Sequence, residues 1–284
     1  MSKQTAKSEF QDWIGRSQSR EAMLDPWPAQ ALRATLGGIG EDEQSLPCLW
    51  HWLYFLETAP RDQIGVDGHP KRGGFLPPIA LPRRMFAGGR TTVLKPLVLG
   101  RAATLTETIL KVEQKRGGDD PLILMTLGFG YTQDDEFCIR EERDIVYLGG
   151  RPAPQPLDAA VQPLEETRPW RADVTPDPVM LMRFSALTFN SHRIHYDTDY
   201  AQREEGYSER VVHGPLTATL LAELVRSHAP GAIRSFSFRA QNPLFVNAPL
   251  RLRAGPQEDG TVSAVAYTPS GKPAMTASVT VGSG

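Results

Sequence analysis

Cysteine is scarce in this chain: 284 residues hold two, Cys48 and Cys138. Their spacing matches no metal-binding or redox pair, so buried free thiols are expected rather than a disulfide framework or a zinc site. Charge of one sign is lacking as well. Lys and Arg together number 31 against 33 Asp and Glu, a net charge of −2, with no long basic cluster. That balance excludes the electrostatic footprint of a nucleic-acid binder. No apolar run has membrane-spanning length, and the opening M-S-K-Q-T-A-K-S-E-F-Q has no signal-peptide core. A cytoplasmic protein with no membrane partner is therefore expected.

Proline and glycine are abundant instead, at 24 and 25 residues, and they punctuate the chain. Residues 1–47 read as helical pieces broken by Pro26, Pro28 and Gly37-Gly38. P-C-L-W-H-W-L-Y-F-L, residues 47–56, suits a buried helix or the floor of a groove, with His51 as a core residue. The polar Gly/Pro-rich stretch 61–89 is long for a structureless loop and has the character of a binding element or lid. Strands follow at 101–112, where Leu, Ile and Val alternate with Thr, at 122–131, which is apolar and rich in β-formers, and at 137–148. The turns between them are Gly117-Gly118-Asp119-Asp120 and Gln133-Asp134-Asp135. Residues 151–178 are crowded with proline and suit an extended crossover between domains 1–150 and 179–284.

The second part repeats the plan, with strands expected near 234–240, 250–254, 261–268 and 274–281. Lys95-Pro96-Leu97-Val98-Leu99-Gly100 is echoed by Asn242-Pro243-Leu244-Phe245-Val246-Asn247, and Arg90 and Arg239 lie just upstream of the two copies. Two copies of one helix-plus-sheet unit can bury each other's helix faces. The copies differ chemically. The densest chemistry lies in residues 184–221, where F-S-A-L-T-F-N-S-H-R-I-H-Y-D is followed by V-V-H-G-P-L. His192, His195 and His213, half of the six histidines, fall there. Pro178 suits the first turn of a helix capped by Asp177, and Asp197 the cap of a short helix over 198–205. A longer apolar helix is expected over 216–227. A base and side-chain donors on one loop, facing the open N–H groups of a helix start, make a candidate reaction site.

These two stretches resemble the hydratase motif of the MaoC-like hot-dog superfamily, Asp-x-Asn-Pro-x-His-x-Asp followed by Ile-Val-His-Gly-Met. Aligned on its last histidine, the motif puts Asn190 where the family has its catalytic Asp, and His192 where it has Asn. Arg193 replaces the Pro, while His195, Asp197 and Gly214 match the catalytic His, the trailing Asp and the oxyanion-hole glycine. The wording T-F-N-S-H-R-I-H-Y-D, with R-M-F-A-G-G-R and E-E-R-D-I-V-Y-L in the first half, is similar to a narrower branch. It contains the mitochondrial-type 3-hydroxyacyl-thioester dehydratases and the mesaconyl-C4-CoA and itaconyl-CoA hydratases. The resemblance implies an α+β double hot-dog fold, two curved antiparallel sheets each wrapped around a long helix. It implies a metal-free hydratase with no cofactor beyond the coenzyme A of its substrate.

In that chemistry His195 is the base, because imidazole titrates near neutral pH. Asn190 cannot accept a proton but can hold the water, and the N–H of Gly214 stabilises the enolate oxygen. Arg193, Arg83, Arg84, Arg90 and Arg239, with His192, are candidates for binding phosphates or a substrate carboxylate. The expected partner is an acyl-CoA thioester, and a homodimer is an allowed assembly. Of the substrates, a branched C5-dicarboxylic enoyl-CoA yielding citramalyl-CoA stands first. A 3-hydroxyacyl-thioester dehydratase of fatty acid synthesis, a non-catalytic acyl-CoA-binding module and a metal site of His192, His195 and His213 are the rivals.

Overall fold

The computed structural model describes residues 10–38, 44–117, 120–150, 156–158 and 160–282. Gly118 and Asp119 of the first expected turn, and residues 151–155 of the crossover, lie outside them. The strands are β1 (Ser17–Met23), β2 (Arg83–Val93), β3 (Ala102–Gly117), β4 (Asp120–Gln133), β5 (Glu136–Leu148), β6 (Trp170–Val174), β7 (Ile233–Ala240), β8 (Leu250–Pro256), β9 (Val262–Tyr267) and β10 (Pro273–Val281). They form one antiparallel sheet in the order β1-β3-β4-β5-β2-β7-β10-β9-β8-β6. Strand period decides which side chains face the core. Ile123, Met125, Leu127, Phe129 and Tyr131 of β4 are buried in strict alternation, as are Met275, Ala277 and Val279 of β10.

The order reads as the same five-strand pattern twice, joined where β2 pairs with β7 from Gly88↔Arg239 to Thr92↔Ser235. Gly88 permits that junction, since a Cβ there would lie 2.4 Å from the carbonyl oxygen of Phe238. The sequence echo is structural too. Val98 bridges Ser45 and Phe245 bridges Val211. The Leu46 N–H donates to Leu97 at 2.8 Å, and the Val212 N–H to Leu244 at 2.7 Å. Gly100 and Asn247 close the two copies in the left-handed region, at φ 76 and 61. By this correspondence Cys48 occupies the place that Gly214 holds in the second half.

The halves diverge at their centres. In the second, α4 (Gly214–His228) runs under the sheet and buries Leu216, Ala218, Leu220, Leu221, Leu224 and Val225. In the first, the long helix expected from the resemblance is reduced to one 3-10 turn, Trp50–Leu53. Leu49 at φ 74 and Phe55 at φ 57 stop helical propagation on both sides. Side chains fill the space instead. Glu141 accepts hydrogen bonds from His51 Nε2 (2.9 Å), Trp52 Nε1 (2.7 Å), Tyr131 (3.2 Å) and Arg143 Nε (2.7 Å). Trp50 Nε1 reaches Glu223 of α4 at 3.0 Å, tying the two centres together. Both cysteines are buried and free.

Three strands were not expected. β1 lies within the stretch read as helical, residues 1–47, of which 1–9 and 39–43 lie outside the described residues. Among the rest, the helical elements up to residue 43 are α1 (Pro26–Thr35) and a short 3-10 turn. β2 occupies the end of the supposed loop, and β6 lies inside the proline-rich crossover, pairing with β8.

Candidate active site

Local sequence sets up the catalytic loop. Asp177 caps α2 (Pro178–Leu187) by accepting from the Met180 N–H, with Pro178 in the first turn. Phe189, at φ 48, then turns the chain out of the helix. Asn190 Oδ1 accepts from the His192 N–H at 3.0 Å, folding the loop back on itself. One 3-10 turn, Arg193–His195, delivers His195 before Asp197 caps α3 (Thr198–Arg203) through the Tyr200 N–H. The side-chain oxygen of Asn190 is thus engaged, which leaves its NH2 group to meet a ligand.

His195 is buried, and its Nδ1 lies 2.7 Å from the carbonyl oxygen of Val211. A carbonyl only accepts, so Nδ1 carries the proton and Nε2 presents a lone pair. Burial lowers the His195 pKa to about 4, against the opposing bond to Val211, so the imidazole is neutral at pH 7. Its ring stacks on His213 at 3.6 Å between centroids. His213 stands at the N-cap of α4, but its side chain makes no cap bond; its Nε2 is 2.8 Å from Ser185 Oγ. The first N–H of α4, on Gly214, therefore remains an open donor at the positive end of the helix dipole. Phe86 of β2 covers this point: a Cβ on Gly214 would lie 3.4 Å from its ring.

The stretch expected as a binding element or lid is a fixed wall of this site. Asp67 accepts the Arg193 N–H at 2.9 Å through its carbonyl, and the carbonyl of Gly68 accepts the Ser191 hydroxyl. Gly68 has φ +91, and a Cβ there would sit 1.8 Å from the Ser191 carbonyl oxygen, so no other residue fits. Arg72 fastens the far end of the loop to the carbonyls of Ile79, Leu81 and Pro82. The wall delivers His69, which sequence reasoning missed. Its Nδ1 lies 3.2 Å from Asp67 Oδ2, and its ring is 4.2 Å from that of His192, which in turn meets His195 edge-on at 5.6 Å. The only sequence signal was a histidine following Asp-Gly in a loop otherwise poor in reactive side chains.

These groups are electrically biased toward neutral imidazole. Burial lowers the His192 pKa to about 2, with the neighbouring His69 and His195 adding to it. Burial also lowers those of His69 and, strongly, His213. For Asp67 burial acts upward, but hydrogen bonds and charge from His69 outweigh it and bring the pKa to about 2. The stacked rings of His195 and His213 aim their bonded nitrogens at Val211 and Ser185. Among the described residues no group of His, Cys, Asp or Glu is arranged to hold a metal ion.

The arginine candidates separate. Arg193 is bound to Asp197 at 2.7 Å and to the Val66 carbonyl at 3.1 Å, and lies over the Tyr200 ring. Arg83 faces Glu205 at 3.7 Å. Arg90 is exposed and paired with Glu142 (2.8 Å) and Asp144 (2.6 Å). It is in register with Ser237, so it projects from the sheet face opposite Phe236 and Phe238. Arg239, exposed and next to Phe238, shares that outer face. Arg84 projects from the same face of β2 as Phe86, and it alone of the five disfavours, by its charge, protonation of both His69 and His192.

A buried neutral imidazole stacked on the residue before α4, on a doubled antiparallel sheet, is a setting suited to a hydro-lyase. The chain's relatives place it in the MaoC-like hot-dog class of such enzymes. The family Htd2, hydroxyacyl-thioester dehydratase type 2, matches residues 49–246, and the chain belongs to it. Mesaconyl-C(4)-CoA hydratase of Chloroflexus aurantiacus is 47% identical over 283 residues, 98% of this chain and 99% of that protein. Two solved structures carry the fold. A MaoC-like dehydratase from Phytophthora capsici superposes with TM-score 0.69 at 15% identity, over 96% of this chain and 99% of that one. A Mycobacterium tuberculosis protein with a double hot-dog fold gives TM-score 0.55 at 14% identity, over 94% and 95%. No helix among the described residues is long and apolar enough to cross a membrane.

Proposed function

We propose that the protein hydrates a short branched dicarboxylic enoyl-CoA, mesaconyl-C4-CoA or itaconyl-CoA, giving citramalyl-CoA. The observation that carries the chemistry is the bare Nε2 of His195, on a ring stacked against His213, the residue that precedes the open N–H of Gly214. On mesaconyl-C4-CoA, His195 Nε2 takes a proton from water held by the Asn190 NH2 group, and the water oxygen bonds to the β-carbon. The π electrons move to the thioester oxygen, where Gly214 stabilises the enolate; one such donor contributes about 3 kcal/mol to lowering the barrier. The α-carbon then receives the proton from His195, and the imidazole is neutral again. Water, thioester and protein groups balance the reaction without a separate cofactor. In mesaconyl-C4-CoA the double bond is conjugated with the thioester, which suits this hole directly.

The substrate assignment is supported by the 47% identity to the mesaconyl-C(4)-CoA hydratase along nearly the full length of both chains. Residues 179–284 carry the chemistry in this proposal, and 1–150 supply the wall with His69 and Arg84. A homodimer and a cytoplasmic location complete it. The Htd2 family match favours one alternative, dehydration of straight-chain 3-hydroxyacyl thioesters, the same reaction run backwards on another acyl group. A panel of thioesters separates the two. Rates on mesaconyl-C4-CoA and itaconyl-CoA are expected to exceed those on crotonyl-CoA and longer enoyl-CoAs; the opposite order would establish the alternative.

A further inference from the structure

Four half-buried arginines, Arg72, Arg83, Arg84 and Arg193, surround the corner where the first-half wall meets the catalytic loop. Three carboxylates, Asp67, Asp197 and Glu205, lie among them. Arg193 is bound to Asp197, Arg83 faces Glu205, Arg72 caps backbone carbonyls, and Asp67 holds His69. Arg84 has no acidic partner and no hydrogen bond among the described residues, so the corner keeps one positive charge in excess. Half-buried guanidinium groups are ordinarily paired, because desolvation without a partner is costly. β2 places Arg84 opposite Tyr147, two residues before Phe86, the ring that covers Gly214.

The position of that charge identifies its ligand. The phosphates of coenzyme A sit a pantetheine arm away from the thioester, whereas Arg84 stands on the same face of β2 as Phe86, whose ring covers Gly214. Its charge reaches His192, whose ring meets that of His195. Water activated by His195 attacks the β-carbon, so an anion attached to that carbon comes within a few bonds of the imidazole. We propose that Arg84 binds a carboxylate carried on the β-carbon of the substrate and is the specificity-determining residue of the site. This rests on the thioester assignment above. His69 and His192 serve here as neutral walls that leave the guanidinium uncontested for the anion, and planar Arg matches a carboxylate with two parallel bonds.

Binding of two unreactive thioesters tests it without turnover. Succinyl-CoA carries a carboxylate on its β-carbon, and butyryl-CoA carries a methyl group there. By calorimetry the protein is expected to bind succinyl-CoA the more tightly. Arg84→Gln is expected to weaken it by about 10- to 100-fold, the scale of a charged hydrogen bond removed. Butyryl-CoA binding and the near-ultraviolet circular dichroism stay unchanged, and Arg84→Lys restores part of the loss. Equal weakening of both thioesters, a preference surviving Arg84→Gln, or no preference in the parent protein would each overturn the assignment. A protein that selects succinyl-CoA through Arg84 yet hydrates no enoyl-CoA would leave this subsite standing and refute the proposed reaction instead.

Discussion

At the scale of single residues, the proposed reaction makes the protonation of His195 the condition for activity. Only the neutral imidazole can take a proton from water, and burial brings its pKa to about 4. A lowered pKa means that the active form persists as pH falls below the usual histidine range. kcat/KM is therefore expected to stay flat from neutral pH down to about 5 and to drop as pH passes through about 4. A break near the ordinary histidine value of about 6.5 in the pH–rate profile would show instead that the ring is solvated, or that another group is the base. The placement of Asn190 and His195 on one turn after α2 was legible in the sequence because their spacing is local. His69 and the fate of each arginine were not. Whether Arg193 or Arg84 is free depends on Asp197, Val66 and the wall loop, partners that only the folded chain brings together. The Ser185 hydroxyl that meets His213 Nε2 is another partner that only the fold supplies.

At the scale of elements, the wall loop and the catalytic loop act as one unit, and Gly68 is the point where they touch. A methyl group there meets the Ser191 carbonyl oxygen at 1.8 Å in a backbone conformation that side chains rarely adopt. Gly68→Ala is expected to undock the wall and displace the His192–His195 turn. Displacements near 1 Å can cost about 100-fold in rate, so kcat/KM should fall by at least tenfold with far-ultraviolet circular dichroism unchanged. Full activity in that variant would mean that the wall takes no part in the chemistry. The regular strands of both halves were readable because β4 is an apolar run rich in strand-forming residues and β10 alternates Met, Ala and Val with Thr and Ser. β2 escaped because Gly88, Gly89 and a bulge between Phe86 and Gly88 break its period. β6 was hidden by the prolines around it, which are tolerated at the edge of a sheet.

At the scale of the whole molecule, duplication supplied two equivalent positions for a helix start, and of these only the one at Gly214 carries the helix that the proposed oxyanion site needs. Where the second half has Gly214 at the head of a 15-residue helix, the first has Cys48 and a single 3-10 turn. Burial raises the Cys48 thiol well above its ordinary pKa, so no thiolate competes there. The first half gives its centre to the Glu141 network and reaches the reaction only through its rim, by Phe86, Arg84 and the wall bearing His69. The sequence echo around Pro96 and Pro243 revealed the duplication; the loss of one helix was invisible, because W-H-W-L is as apolar as a helix would be. One measurement tests the central claim, that His195 of the second half activates water over a polarised thioester. Mesaconyl-C4-CoA is incubated in heavy-oxygen water with the parent protein and with His195→Ala, and the products are weighed by mass spectrometry. The parent protein is expected to give a hydrated thioester with the heavy oxygen on its β-carbon, and His195→Ala to lose at least about 100-fold in rate while still binding substrate. Label incorporation at the parent rate in His195→Ala would contradict the account.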